Sequence, residues 1–206
     1  AMMTYIWQLK QWPRLRWNSE ALLPLIGRAR LAQGKLLTKV ASLGFKLSRE
    51  AQADILTEEA VTTSAIEGER LNRDSVRSSV ARHLGLPTAG LTPANRSTDG
   101  LVEVLLDATQ RYQTPLTAAR LKRWQAALFP TGYSGLRKIR TGAWRGAEPP
   151  MQVVSGAVGL ERVHYEAPPG NRVEQETKRF LAWWKASATR EDGLLRSGLA
   201  HLYFVT

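Results

Sequence analysis

The sequence predicts a mainly α-helical protein, in which a helical bundle with an N-terminal helical module carries one small β-hairpin. Apolar residues recur at helical spacing behind helix-capping residues over most of the chain. A proline- and glycine-rich linker, PTAGLTPANRS at 87–97, divides the N-terminal helical module, residues 1–86, from a second domain at 98–206. Two short β-type runs, MQVVSG and RVHYE, indicate the hairpin.

The chain begins with an aromatic segment, YIWQLKQWPRLRW, that matches neither helical nor strand spacing. Its indoles, Trp7, Trp12 and Trp17, are five residues apart around a proline. Because three indoles favour burial, we expect an extended arm that packs on the helical body.

Three helices follow in the N-terminal module. Ser19 caps a predicted helix that runs toward Ser42, and Ser48 opens a second helix that leads into TTSAIEGERL at 62–71. On this second helix Ile55, Ala60 and Ile66 belong to the apolar side. Asn72 caps a third helix.

The second domain has its own helix signals. Ser97 and Thr117 begin two helices, and residues 173–188 form another. The final run, EDGLLRSGLAHLYFVT, predicts an apolar helix that stops at Thr206 without a cap. We therefore expect the native chain to continue beyond it.

Composition limits the class of protein. The 206 residues suffice for one well-buried domain or two small ones. They contain no cysteine, no secretory signal and no apolar run long enough for a membrane helix, which predicts a cytoplasmic protein without disulfides or membrane contact.

The net charge of +11, from 29 Lys and Arg against 18 Asp and Glu, favours anionic partners. The basic residues are spread along the chain, so the signal for nucleic acid is weak. The nearest approach to a basic face is formed by Arg73, Arg77 and Arg82.

No catalytic centre or metal site is predicted from residue chemistry. The three histidines, His83, His164 and His201, have no metal-ligand spacing, and no phosphate-binding loop or nucleophile elbow is present.

Glu67 is the main candidate for function, because acids are disfavoured at a helix C-terminus. Thr63 lies one turn earlier on the same face, and Gly68 permits a sharp left-handed exit. A carboxylate presented in this way suits an arginine. The alternative is a glycine that caps the helix between solvated acids.

The stretch TSAIEG, from Thr63 to Gly68, fits the Ser/Thr-x-x-x-Glu-Gly/Asn motif of the inhibitory helix of Fic-family protein adenylyltransferases. The opening YIWQLKQWPRLRW and the run EGERLNRDSVRSSVARHLGL resemble the helical module that precedes the catalytic domain in one branch of this family. GLRKIRTGAWRG and MQVVSGAVGLERVHYEAPP are similar to the family's flap region, and GLLRSGLAHLYFVT resembles the helix that enters the active-site loop.

This resemblance implies transfer of AMP from ATP, with Mg²⁺, to a Ser, Thr or Tyr hydroxyl of a target protein. It assigns the inhibitory role to Glu67, the hydroxyl positions to Thr63 and Ser64, and the helix end to Gly68. It places the flap near Val153, Val154, Ser155 and Gly156, where the main chain would line the nucleotide and dock a target segment.

The family's His-Pro-Phe loop does not occur in this sequence. The resemblance therefore implies that these 206 residues end before the catalytic loop, hold no catalytic residue, bind no cofactor tightly and are inactive alone. His201 is not the missing base.

Two alternatives remain open at the level of sequence. One is a basic helical module that binds nucleic acid or regulates transcription. The other is a Fic relative that removes AMP or transfers another phosphate-containing group. A homo-oligomer, the target protein and the direction of the reaction are equally undetermined.

Overall fold

A computed structural model describes residues 4–42, 49–146, 149–157 and 159–206. These residues form seven α-helices, two short 3₁₀ helices and two small antiparallel hairpins. The predicted fold class, mainly α with a small β-hairpin, is confirmed.

The elements have the following bounds. The helices are α1 (Ser19–Ser42), α2 (Arg49–Ile66), α3 (Arg73–His83), α4 (Arg96–Gln110), α5 (Ala118–Leu128), α6 (Gly170–Ala186) and α7 (Gly193–Val205). The strands are β1 (Tyr133–Ser134), β2 (Arg137–Lys138), β3 (Gln152–Ser155) and β4 (Arg162–Glu166). The 3₁₀ helices are Ile6–Gln8 and Ser187–Thr189.

The chain forms two compact units, one of residues 1–43 and 144–206 and one of residues 44–143. This division differs from the predicted domains. The predicted linker at 87–97 lies inside the second unit, where it connects α3 and α4, which pack against each other. The domain boundaries proposed from sequence stay a prediction.

Two predicted helix caps are confirmed. The Asn72 side chain accepts a hydrogen bond from the amide of Ser75, and Thr117 accepts one from the amide of Arg120. In both cases a polar side chain on extended backbone satisfies a free amide of the first turn. The predicted cap at Ser48 lies outside the described residues.

Two other caps are asparagines rather than the predicted serines. Oδ1 of Asn18 accepts from the amide of Ala21 at 3.1 Å, so α1 begins at Ser19 itself. Asn95, rather than Ser97, caps α4 by accepting from the amide of Thr98. The prediction was wrong by one or two residues at each start, because both caps lie beside a second residue of similar capping preference.

The core of the second unit joins α2, α3 and α4. Its fully or nearly buried apolar residues are Ala53, Ala60, Val76, Val80, Val102 and Leu106. On α2 the buried side is formed by small residues, including Thr57, whose hydroxyl donates to the Ala53 carbonyl at 2.6 Å. Of the residues predicted on the apolar side of this helix, Ala60 is buried, whereas Ile55 and Ile66 are 58% and 78% exposed.

Helices α4 and α5 pack with their backbones in close approach. A Cβ added at Gly100 would lie 1.8 Å from the carbonyl oxygen of Ala127. Only glycine leaves room for that approach, so Gly100 sets the spacing of this helix pair.

A buried ion pair also joins α4 to α5. Oδ2 of Asp107 accepts from Nε of Arg120 and from Nε1 of Trp124, both at 2.7 Å. Arg120 is 5% exposed, and its other nitrogens donate to main-chain carbonyls, including that of Thr114. The hydrogen bond from Arg120, with that from Trp124, holds the pKa of Asp107 below its ordinary value.

The aromatic N-terminal segment packs within the first unit. Trp7 is buried and its Nε1 donates to the Glu166 carbonyl at 2.7 Å. Trp12 meets Tyr203 edge to face, with ring centroids 5.0 Å apart. The predicted packing is thus confirmed for these two indoles, whereas Trp17 remains 38% exposed. The segment is not extended throughout, because it contains a 3₁₀ turn.

Candidate functional site

Helix α2 ends in a tight glycine turn. The amide of Glu69 donates to the Ser64 carbonyl at 2.8 Å, and the amide of Gly68 donates to the Ala65 carbonyl at 3.1 Å. Gly68 has a φ of +85°, in the left-handed region. These two bonds and this φ define a Schellman motif, which satisfies carbonyls at the helix end. The predicted left-handed exit at Gly68 is confirmed.

Glu67 occupies the last position before this glycine, and its side chain is exposed. Within the described residues its carboxylate makes no hydrogen bond or ion pair. The Thr63 hydroxyl donates instead to Oε1 of Glu59 at 3.2 Å, one turn toward the helix start. Thr63 and Glu67 therefore share no partner within the described residues.

The geometry of this turn confirms the capping role of Gly68 and leaves a second role open to Glu67. A carboxylate held at this helix end, exposed and without an ion pair within the described residues, can accept a bidentate pair from an arginine. Such a pair would also offset the unfavourable position of an acid at the negative end of the helix dipole.

The predicted hairpin is confirmed. Strands β3 and β4 are antiparallel, with Val153 opposite Tyr165 and an irregularity in register between Val153 and Val154. Gly156 follows β3 with a φ of +113° and begins the turn. Val158 lies outside the described residues.

Strand β3 presents apolar side chains and a free edge. Val153 and Val154 are 58% and 46% exposed. Across the described ranges the sheet contains β3 and β4 alone, so the outer amides and carbonyls of β3 can pair with an added strand. The Ser155 hydroxyl is engaged within the hairpin, because its Oγ lies 2.6 Å from Nε2 of His164.

A cavity of about 370 Å³ lies within the first unit, beside the hairpin. Its walls come from the aromatic N-terminal segment, both strands of the hairpin, α6 and the end of α7, and most of the lining is apolar. Trp12, Val153, Phe180 and Tyr203 belong to this lining. Sequence patterns did not predict the cavity, because its residues are brought together from opposite ends of the chain.

Three buried polar atoms, each on a residue that lines the cavity, lack a hydrogen-bond partner among the described residues. They are Nε1 of Trp12, Oε2 of Glu176 and the hydroxyl of Tyr203. The other oxygen of Glu176 accepts from Arg172 at 3.1 Å and from Arg179 at 3.2 Å. Burial, together with the negative charge of Glu176, raises the pKa of Tyr203 to about 12, so its hydroxyl is protonated at neutral pH.

The arginines of the predicted basic face on α3 each pair with a carboxylate of the second unit. The pairs are Arg73 with Glu58, Arg77 with Asp54, and Arg82 with Asp99. These pairs neutralise much of the charge that this face would offer to a nucleic acid.

In the part of the chain that the structure describes, no three His, Asp or Glu side chains form a group that could hold a metal ion. No helix in those same ranges combines the length and hydropathy needed to cross a bilayer.

The profile of a protein family described as a domain of unknown function, DUF4172, matches residues 5–86. The match ends at the same residue as the predicted N-terminal module, and it covers less than half of the chain. No curated protein matches the chain. These comparisons establish similarity over the N-terminal segment without assigning an activity.

Proposed function

We propose that this chain is part of an autoinhibited protein adenylyltransferase of the Fic type, which transfers AMP from ATP to a hydroxyl group of a target protein. The observation that carries the proposal is the end of α2, where the Schellman motif at Gly68 presents the exposed carboxylate of Glu67, which has no ion pair within the described residues. Glu67 would hold an arginine of the nucleotide site in a charge-assisted pair and so block productive seating of ATP.

The hairpin supports the same proposal. Strand β3 has a free edge within the described residues, with exposed side chains at Val153 and Val154. A target segment could pair with this edge as an added strand, which would bring its hydroxyl group to the nucleotide through main-chain hydrogen bonds. In this proposal, Val153, Val154, Ser155 and Gly156 supply main-chain groups rather than side-chain chemistry.

Among the described residues, no three carboxylate or histidine side chains form a group that could hold a metal ion. Ligands for Mg²⁺ are therefore not assigned to them. What these residues contribute is inhibition by Glu67 and docking by the hairpin.

The decisive experiment changes Glu67 in the protein expressed from its complete gene. We expect Glu67→Gly to raise the incorporation of label from ATP labelled in the α-phosphate, into the protein itself or into a target. Loss of the carboxylate would release the arginine for the nucleotide phosphates. Label in the γ-phosphate should not be incorporated, because the transferred group is AMP.

The matched control is Glu69→Gly, which removes the same charge two residues later from the same turn. It should leave labelling at the wild-type level. If Glu67→Gly labels no more than wild type, or if Glu69→Gly raises labelling equally, Glu67 has no specific inhibitory role.

The two alternatives give different outcomes in the same assay. A relative that removes AMP would release label from a pre-labelled protein, and a relative that transfers another group would incorporate label from a different donor. A nucleic-acid-binding module would show affinity that falls steeply with salt and no labelling at all.

A further inference from the structure

We propose that the cavity beside the hairpin is a specificity pocket, which receives one large apolar side chain of the segment that pairs with the edge of β3. The inference rests on the part of the proposed function in which β3 docks an extended segment of a target protein. It adds the chemical class of that segment, an extended peptide with an aromatic or long aliphatic side chain at one defined position.

The register of the hairpin places one face of β3 on the cavity. Val153 pairs with Tyr165 of β4, and both residues line the cavity, whereas Val154 is not part of the lining. Successive side chains of a strand point to opposite faces of the sheet, and directly paired residues point to the same face. A residue that pairs with Val153 from the free edge of β3 therefore projects its side chain on the face of the cavity.

Part of the cavity lining is both apolar and exposed to solvent. Four apolar residues of the lining are between 58% and 63% exposed, namely Met151, Val153, Phe204 and Val205. The lining also includes the buried rings of Phe180 and Tyr203, whose centroids are 5.3 Å apart. An apolar side chain that enters the cavity removes this exposed surface from water, and the volume of about 370 Å³ is ample for one such side chain.

The two charged residues of the lining already have partners. The guanidinium group of Arg145 donates to the Pro168 carbonyl. Glu176 accepts through Oε1 from Arg172 and Arg179, and its Oε2 is buried. A charged side chain in the cavity would lose hydration that these engaged groups do not replace. A neutral apolar side chain is the occupant that this lining complements.

The test measures the binding of short peptides to the full chain by NMR titration, in the absence of ATP. The probes are acetyl-Thr-Thr-Xaa-Thr-Thr-amide with phenylalanine, alanine or glutamate at the central position, because threonine favours extended backbone. We expect the phenylalanine peptide to bind at least about tenfold more tightly than the alanine peptide, as burial of one aromatic side chain gives.

Three results would overturn the proposal. They are equal affinities of the phenylalanine and alanine peptides, no binding of any peptide, and tightest binding of the glutamate peptide, which would indicate an ion pair with Arg145.

An added aspartate locates the interaction. Val153→Asp should reduce the preference for phenylalanine over alanine to about twofold or less, because its carboxylate loses hydration when an apolar side chain enters beside it. The matched control is Leu160→Asp, at an 81% exposed residue of the same hairpin that does not line the cavity. It should retain the tenfold preference, and equal losses in both variants contradict the assignment. If Val153→Asp does not fold by circular dichroism, Met151→Asp makes the same change at a lining residue that precedes β3, with the same expected loss.

Other occupants of the cavity give other results. Toluene should bind more weakly than the phenylalanine peptide, because it makes no main-chain hydrogen bonds with β3. Toluene binding as tight as that of the peptide would mean that the cavity takes a free apolar molecule. A dimer in sedimentation experiments that Val153→Asp dissociates would mean that a second copy of the chain covers the cavity. Either result overturns the proposal.

The pocket and AMP transfer fail independently in these experiments. If the phenylalanine peptide is preferred but Glu67→Gly raises no labelling in the protein from the complete gene, the proposed transfer of AMP fails and the pocket stands. If Glu67→Gly raises labelling while the phenylalanine and alanine peptides bind alike, the pocket alone is wrong.

Discussion

The carbonyl of Ser64 accepts a hydrogen bond from the amide of Glu69 across Gly68, and this 2.8 Å contact closes the end of α2. It fixes the backbone on both sides of Glu67. The acid is therefore presented by a defined turn rather than by a fraying helix end. Because the turn depends on the left-handed conformation of Gly68, a substitution of this glycine tests whether the turn holds Glu67 in place.

We expect Gly68→Ala to lower the free energy of unfolding by about 1–2 kcal/mol, the cost of left-handed backbone for a residue with a Cβ. An added Cβ would meet no atom within 4 Å, so the effect should be conformational rather than steric. Urea denaturation measures it. Glu69→Ala, which leaves the backbone bonds of the turn intact, should change stability by less than about 0.5 kcal/mol.

Gly100→Ala should destabilise the second unit by about 3 kcal/mol, because its Cβ would lie 1.8 Å from the Ala127 carbonyl oxygen. Helices α4 and α5 would have to separate. Thermal unfolding followed by circular dichroism measures the loss. Ser97→Ala, at an exposed position of the same helix, should leave the melting temperature nearly unchanged. A similar melting temperature for both variants would mean that the helix spacing adjusts freely.

Asp107→Asn should lower the free energy of unfolding by about 3 kcal/mol at neutral pH, because it leaves the buried Arg120 without a paired charge. The folded-state pKa of Asp107 is depressed below its ordinary 3.8. The contribution of Asp107 to the free energy of unfolding is therefore present above pH 3.8 and is lost as the pH falls below it. The difference between wild type and variant should accordingly shrink below about pH 4 in urea denaturation.

The control for Asp107 is Glu58→Gln. Glu58 pairs with Arg73, but both side chains are more than half exposed. An exposed pair contributes little, so this variant should lose much less stability than Asp107→Asn. If the two variants lost equal stability, burial would not be the source of the Asp107 contribution.

In the Tyr203→Phe variant, the free energy of unfolding should fall less steeply than in wild type as the pH rises above about 10. The folded-state pKa of Tyr203, about 12, lies above its ordinary 10.0. The contribution of Tyr203 to the free energy of unfolding is therefore fully present below pH 10. It is lost as the pH rises toward 12, because the unfolded chain releases this proton at a lower pH than the folded protein does. Denaturant unfolding at several pH values checks this, with Tyr112→Phe, at a 73% exposed tyrosine, retaining the wild-type decline.

Most of the helix ends, turns and strands that the sequence predicts follow from residues that are close to one another along the chain. The caps at Asn72 and Thr117, the turn at Gly68 and the hairpin at β3 and β4 each depend on contacts between residues close in sequence. The sequence did not predict which residues of α2 are buried, because Ile55 and Ile66 are exposed while smaller residues of this helix are buried. Which face of a helix is buried depends on its neighbours, and a single helix does not contain that information.

The sequence by itself determined the helical class, the hairpin and the presentation of Glu67 at a helix end, because backbone preferences act over a few residues. Only the tertiary structure decided that Arg120 is buried against Asp107, and that Trp12 and Tyr203 line one cavity with Glu176. Those arrangements arise from packing between distant segments. Their energies depend on burial and on unpartnered polar atoms, which exist only once the chain has folded.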